Sequence, residues 1–441
     1  MLNYRIINEI NIETSRKIPG RFIFIPIKMK KLYTNYISTF RGLSREIWLL
    51  SLVTFINRAG AMVIPFLSLY LVNAKGFTLP QVGWIMTAFG LGSLIGTLLG
   101  GKLTDTIGFY KVIVASLFLG GIGFIFLQFV ESFYGFCFGI FFLILVADSY
   151  RPAIFVACEV YSKPGNVTRS ITLIRLAINL GFSIGPLIGG IIIATINYSS
   201  LFWIDGITCI LASFGLFMLL KPKKHKGSDT DKVVKKEGVP PYLNYVFVLF
   251  FIIMIANSIC FVQYFSVMPL YYEKAHFLTE DIIGWLFFIN GALIVLFEMP
   301  LISWLERKNM SKTMATFWGV FFLALSFVVL NISSWTGVVL IGMILMTIGE
   351  MIGSPFSNAL ALEMAPTGRK GSYMGVYSMS FSISHIFGHN LGMNMVDSFG
   401  FNLTWITMFV FLILICLGSL WLHKLVKKKN KLAVPKQISI E

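Results

Sequence analysis

Charge is what this sequence has least of. Only 13% of its 441 residues are Asp, Glu, Lys or Arg, roughly half the share of a soluble domain, which argues against a soluble enzyme. Cysteine is equally sparse. The five residues, Cys137, Cys158, Cys209, Cys260 and Cys416, sit in or beside apolar runs at unrelated spacings, so neither a disulfide framework nor a zinc site is indicated. No Walker motif and no HExxH occurs, so ATP-driven pumping and zinc-dependent hydrolysis lack their signatures. Enzymatic activity, metals and cofactors are not expected. The first 46 residues contain no hydrophobic region of signal-peptide quality: RFIFIPIK is short, includes Pro26 and is closed by Lys28. A basic tail is expected there, without a cleaved leader.

Apolar sequence fills the chain instead, at 56% hydrophobic and 15% aromatic residues. Stretches of about 18 or more apolar residues recur, each long enough to cross a hydrocarbon core of about 30 Å at about 1.5 Å per residue. Because backbone polar groups must be paired inside lipid, these stretches are helices. Twelve spans are expected, at 48–72, 81–101, 111–129, 133–157, 170–196, 200–220, 243–271, 282–304, 313–330, 336–362, 371–395 and 402–423. The fold class is an all-α polytopic membrane protein.

The net charge of +16 suggests nucleic acid only until the charges are placed. With both termini in the cytoplasm, inner segments hold 31 of the 36 Lys and Arg residues. Lys75 and Lys274 fall outside, and Arg58, Arg151 and Arg175 fall within spans. This positive-inside pattern predicts a multi-pass protein of the plasma (cytoplasmic) membrane, with lipids as its surroundings and no nucleic-acid partner. A monomer is expected.

One polar interruption, Lys221 to Pro241, separates six spans from six. The expected organisation is a basic tail (1–46), a six-helix bundle (47–220), a cytoplasmic linker (221–242), a second bundle (243–424) and a basic tail (425–441). Sliding the second half onto the first by about 200 residues aligns Asp105 with Glu306, Lys111 with Lys312, Pro152 with Pro355, Glu159 with Glu363, Gly185 with Gly388 and Gly189 with Gly392. A steady offset of this kind implies a parallel duplication into two pseudo-symmetric six-helix bundles, with a binding site between them near mid-depth.

The loop after the second span, Gly101-Lys102-Leu103-Thr104-Asp105-Thr106-Ile107-Gly108-Phe109-Tyr110-Lys111, resembles the helix 2–3 signature of the major facilitator superfamily. GFSIGPLIGG, with Gly181, Gly185, Pro186, Gly189 and Gly190, is similar to the fifth-helix signature of its proton-coupled exporters. Two departures stand out: the signature's basic positions are here Thr106 and Phe109, leaving Lys111, and the fourth-helix arginine motif is reduced to Asp148-Ser149-Tyr150-Arg151-Pro152. The resemblance implies a secondary transporter in which helices 1, 4, 7 and 10 line a central cavity. It also implies that Asp105 latches one half to the other and that the bend at Pro186 seals the inner ends of the halves.

Charges kept inside an apolar span cost about 2.5–3.5 kcal/mol on insertion scales, so each is a candidate for a cavity. Arg58, Asp148, Arg151 and Glu350 lie mid-span, and the resemblance places all four along the substrate's path, with Gln263 and Tyr264 of the seventh span as uncharged candidates. Asp148 and Arg151 share a helix face. The pair either exchanges a proton, tuned by Arg151 or Arg58, or merely neutralises two buried charges. Glu350, with no cation in its own helix, is an expected proton-binding group. Arg175 and Asp205 lie nearer the membrane edges and read as members of structural pairs, while Glu298 suits coupling or helix-end pairing. His385 and His389, four residues apart, suit a proton relay or plain packing, with no third ligand to complete a metal site. Gly92, Gly96 and Gly100, and Gly181, Gly185 and Gly189, recur every four residues and predict close helix seams.

These features favour proton-coupled efflux of small organic, amphipathic molecules. Nutrient uptake by symport would use the same acids, and a non-transporting receptor would keep the fold alone.

Overall fold

The computed structural model describes residues 42–164, 166–223, 238–366 and 369–433. Expectations for residues 1–41, for most of the linker (224–237) and for residues 434–441 lie outside them. The described residues from Leu43 to Ala433 belong to one compact unit.

Among the described residues there are twelve helices long enough to span a membrane. They are α1 (Arg45–Ala74), α2 (Leu79–Ile107), α3 (Phe109–Leu127), α4 (Phe133–Tyr161), α5 (Val167–Thr195), α6 (Ser199–Leu219), α7 (Tyr245–His276), α8 (Glu280–Arg307), α9 (Lys312–Val329) and α10 (Gly337–Met364). A helical stretch from Lys370 to Ala433 follows, interrupted at Gly400 by φ 73° and ψ 175°, which separates α11 (370–399) from α12 (401–433). A side chain at Gly400 or at Gly108, the α2–α3 junction with φ 91°, would be strained. Between α5 and α6 the turn is fixed by Asn197, whose Oδ1 accepts the Ser200 backbone N–H and hydroxyl, both at 2.9 Å. Ser44, Ser132, Asn244 and Ser311 cap the helices that follow them. α12 runs past the expected end of the twelfth span, where Lys424, Lys427, Lys428 and Lys429 complement a helix C-terminus.

The first helix of each half begins, and the last helix of each half ends, at one end of the bundle, here the terminal end; the opposite is the far end. The outer surface is apolar, with Phe126, Phe138, Phe142 and Leu414 exposed, and such a surface is stable only in lipid.

The duplication is visible in the packing. In the first half, Gly181 and Gly185 of α5 admit the backbone of α1 at Arg58 and Ala59. In the second, Gly388 of α11 lies against Ile259 and Val262 of α7, and Gly392 against Gln263. α1 and α7 are interrupted at these places, between Ala59 and Val63 and at Val262. Gly92, Gly96 and Gly100 of α2 face α4: a Cβ at Gly92 would stand 2.5 Å from Phe141 O, one at Gly96 would collide with Leu145 O, and one at Gly100 would stand 2.6 Å from Ser149 Cα. Gly83 and Gly90, on another side of α2, meet Asn390 and Ile386 of α11 in the other half.

Candidate functional site

A cavity of about 360 Å3 lies between the halves. The first half supplies Ile64 (α1), Met86 and Phe89 (α2), Arg151 (α4) and Asn179 and Phe182 (α5); the second supplies Phe265 (α7), Phe287 and Asn290 (α8), Glu350 (α10) and His385 and His389 (α11). A smaller space of about 110 Å3 adjoins it within the first half, sharing Ile64, Phe89, Arg151 and Phe182 and adding Asn57, Arg58, Asp148 and Tyr150. Aromatic walls with a few convergent polar groups suit an organic ligand.

Each ionisable group has a distinct setting. Arg151 Nε lies 2.9 Å from Asp148 Oδ1, and the arginine side chain is 51% exposed, into the cavity, while the carboxylate is buried. Ser93 of α2 donates to the other carboxylate oxygen, so Asp148 also ties α2 to α4. Among the described residues Arg58 has no carboxylate partner: its guanidinium stands over the rings of Tyr150 (5.9 Å) and Phe182 (5.4 Å), a cation–π arrangement, and its buried Nε has no hydrogen-bond acceptor there. Glu350 has Asn290 beside it, and Asn290 Nδ2 in turn donates to Thr347 Oγ1 at 2.8 Å. His385 Nδ1 and His389 Nε2 share a hydrogen bond of 2.8 Å, with both rings against Phe89 across the halves.

Several expected placements are corrected. Gln263 and Tyr264 are buried in helix seams, off the cavity wall: Gln263 Nε2 donates to Ile259 O and Gly388 O at 2.8 and 2.7 Å, and Tyr264 Oη reaches Gly342 O at 3.4 Å. The interruption of α7 turns them toward α10 and α11. Asp205 has no cation partner among the described residues; its two oxygens accept the N–H groups of Met62 and Val63 at 2.9 and 2.8 Å. The break in α1 leaves the Val63 N–H without an intrahelical acceptor and the Met62 N–H with only the turn carbonyl of Gly60, and a broken span inside lipid needs such a partner. Arg175 instead approaches Glu298 across the halves at 3.9 Å. Asp105 is exposed and, among the described residues, forms no ion pair, so the expected latch is not made in this conformation. Lys111 is likewise exposed, and Gly101 has open space around it.

The seal between the halves lies at the far end. Asn73 Nδ2 donates to Glu273 Oε1 (2.6 Å), Tyr198 Oη to Glu280 Oε1 (2.7 Å), Thr87 Oγ1 to Ile386 O (2.9 Å) and Ser183 Oγ to Phe288 O (3.0 Å). Pro186 and Gly190 of α5 pack on Gly284 and Glu280 of α8. The Pro186 bend therefore lies in the far-end seal. Tyr198, in the α5–α6 turn, is pushed above the ordinary phenol range by burial and by the adjoining Glu280 carboxylate, which keeps it a donor. Gly181 to Gly185 also reads as GxSxG, the nucleophile pattern of hydrolases; Ser183 lies within α5 with its hydroxyl bonded to α8, not on a strand-to-helix turn.

Sequence reasoning missed Asn290, Asn179, Asn57 and Ser93. Asn290 left one usable signal, a lone amide in the middle of an apolar span.

A sequence model of the Major Facilitator Superfamily matches residues 47–389 and 277–438. An MFS-type transporter of Methanocaldococcus jannaschii is 25% identical over 358 residues, covering 78% of this chain and 90% of the relative. Another, of Bacillus subtilis, is 23% identical over 407 residues, covering 90% and 99%. Among solved structures, a POT family transporter in complex with a thioalcohol-conjugated peptide superposes with a TM-score of 0.73 at 16% identity, covering 87% of this chain and 97% of that one.

Proposed function

The chain belongs to the major facilitator superfamily and is a secondary transporter in the membrane, and we propose that it exports small amphipathic organic molecules in exchange for protons. In this reading the bundles 47–220 and 243–424 rock about the central cavity, joined by a cytoplasmic linker at 221–242. The terminal end is cytoplasmic, the membrane is the plasma membrane and the working unit is a monomer. The far-end seal then makes this conformation the cytoplasm-open one.

The observation that carries the reading is Glu350: a carboxyl without an ion-pair partner among the described residues, on the wall of an aromatic cavity also lined by Arg151, whose partner Asp148 lies in the adjoining space. A group that exchanges a proton while facing a substrate site couples the two. One inward proton supplies about 2.3 kcal/mol per 100 mV, which suffices to drive a neutral solute uphill. The GFSIGPLIGG signature supports export over uptake.

Everted membrane vesicles provide the test, with an acid-inside gradient imposed and an amphipathic fluorescent dye such as ethidium as probe. Gradient-driven accumulation of the dye, lost in Glu350→Gln and in Asp148→Asn with both proteins still folded, is the expected result. Full coupling in both variants would remove the proposal, and gradient-driven depletion of vesicle contents would reassign the direction to uptake.

A further inference from the structure

Glu350 faces two cavities. One is the central cavity; the other, of about 40 Å3, lies within the second half between α7, α9, α10 and α11. Among the described residues, Glu350 alone lines both.

The side cavity has the character of a hydrated space. At about 40 Å3 it has room for roughly three water molecules. Two buried polar atoms on its wall, Asn257 Oδ1 and Tyr377 Oη, have no partner among the described residues, and Tyr377 is 2% exposed. An acceptor and a hydroxyl left this way are costly unless water bridges them.

From Glu350 the polar groups lead toward the terminal end. Ser354 and Ser357 follow about one and two turns later on α10, and both line the cavity. Ser357 Oγ lies 3.3 Å from Thr316 Oγ1 of α9, which hydrogen-bonds Lys312 O at 3.0 Å. Lys312 opens α9 and pairs with Glu363 near the end of α10, both side chains exposed. The passage is narrow because Gly319 of α9 lies directly on Gly349 and Gly353 of α10, backbone to backbone. Waters fit there and an organic solute does not.

We propose that this side cavity is a water-filled proton passage joining Glu350 to the terminal end of the second half, so that protons and substrate reach Glu350 by separate routes. The proposal rests on the reading of Glu350 as the coupling acid. Glu350 gives its proton to a cavity water, each hydroxyl along the way accepts one proton and releases another, and bulk water at the terminal end takes the last. The groups facing Glu350 favour this route. The central cavity presents Arg151, with Arg58 behind it, together with His385 and His389, and α8 adds Asn290 and Glu298. The side cavity presents Tyr377 and no cation among its lining residues, the first one on that path being Lys312. Of these charges Arg151 is paired with Asp148 and Glu298 with Arg175, which leaves Arg58 as the cation without a carboxylate partner among the described residues, and it repels an excess proton on the central side.

The experiment needs no transported substrate. The protein is reconstituted in phosphatidylcholine–phosphatidylglycerol liposomes, and the carboxyl band absent from Glu350→Gln is followed by infrared difference spectroscopy after pH jumps between about pH 5 and about pH 9. Thr316→Val combined with Ser357→Ala should leave the titration midpoint in place and slow the relaxation roughly tenfold, the factor equivalent to about 1.4 kcal/mol. Tyr377→Phe serves as a milder second variant, slowing it less. Unchanged rates in both variants would overturn the passage and leave Glu350 as coupling acid intact. Absence of any Glu350-dependent band would overturn the coupling reading and the passage together. Suppression of the band by sodium chloride but not potassium chloride would overturn it in favour of a cation site.

Discussion

Asp205 holds Met62 by its backbone: a carboxylate on α6 accepts the N–H at which α1 restarts, 2.9 Å away, and the Val63 N–H beside it. The residue is fully buried, and its partners among the described residues are the N–H groups that open a short helix, with no side-chain cation. In the other half the aligned residue on α12 is Met408, whose sulfur meets Cys260 at 3.6 Å, and α7 is merely kinked where α1 is broken.

Removing that carboxylate should therefore loosen the first half. Asp205→Ala leaves the buried Val63 N–H unpaired and the Met62 N–H with only its turn bond to Gly60 O, and is expected to cost about 1–3 kcal/mol, while Asp205→Asn, which keeps one acceptor oxygen, should cost about half as much. Thermal unfolding of the detergent-solubilised protein measures the order. Equal stability of Asp205→Ala and the unaltered protein would show that the break in α1 needs no acceptor.

The glycines of α2 divide into those that fill a seam and one that does not. Gly96→Ala drives a methyl into Leu145 O and is expected to destabilise by about 1–3 kcal/mol. Gly101→Ala meets no atom within 4 Å and should leave stability unchanged. If Gly101→Ala nonetheless slows transport, that loss belongs to the conformational cycle. The comparison requires unfolding midpoints and transport rates for both variants.

At the far end, Tyr198 and Glu280 close the halves, and the phenol stays protonated above its usual range. A raised value means that the contribution to closure is fully present below the ordinary phenol value of about 10 and is lost only as pH rises beyond it through the raised one. Closure should thus be constant from about pH 7 to about pH 10 on this account, and Tyr198→Phe should weaken it across that whole range. Distances between spin labels on the far ends of α5 and α8 report the outcome; identical distance distributions in both proteins would remove Tyr198 from the seal.

The twelve helices, their pairing into halves and the charged residues of the site were legible because each breaks or maintains a long apolar run. Glu350, Asp148 and Arg151 stand out of such runs, and the spacing of the last two forces them onto one face. Orientation about the helix axis was less accessible. Gln263 and Tyr264 sit at a kink that carries no proline, and nothing in the local sequence tells which way the second segment of α7 turns. Asp205 was visible as a buried acid, yet its partners are backbone groups exposed by a break that Gly60 and Pro65 mark without indicating which residue covers it. Asn290 and Ser93 owe their roles to residues on other helices, a relation that one sequence does not display.

α2 is committed on two sides. Gly92, Gly96 and Gly100 bind it to α4, and Gly83 and Gly90 press it against α11 of the opposite half. The remaining strip, Trp84, Leu91, Ile95 and Leu98, faces outward. Divergence along this helix is thereby channelled: any greasy residue serves on that strip, whereas on the other two flanks even a single added methyl must displace main chain. Drift among descendants of this gene should run along one edge of α2 and stall on the others.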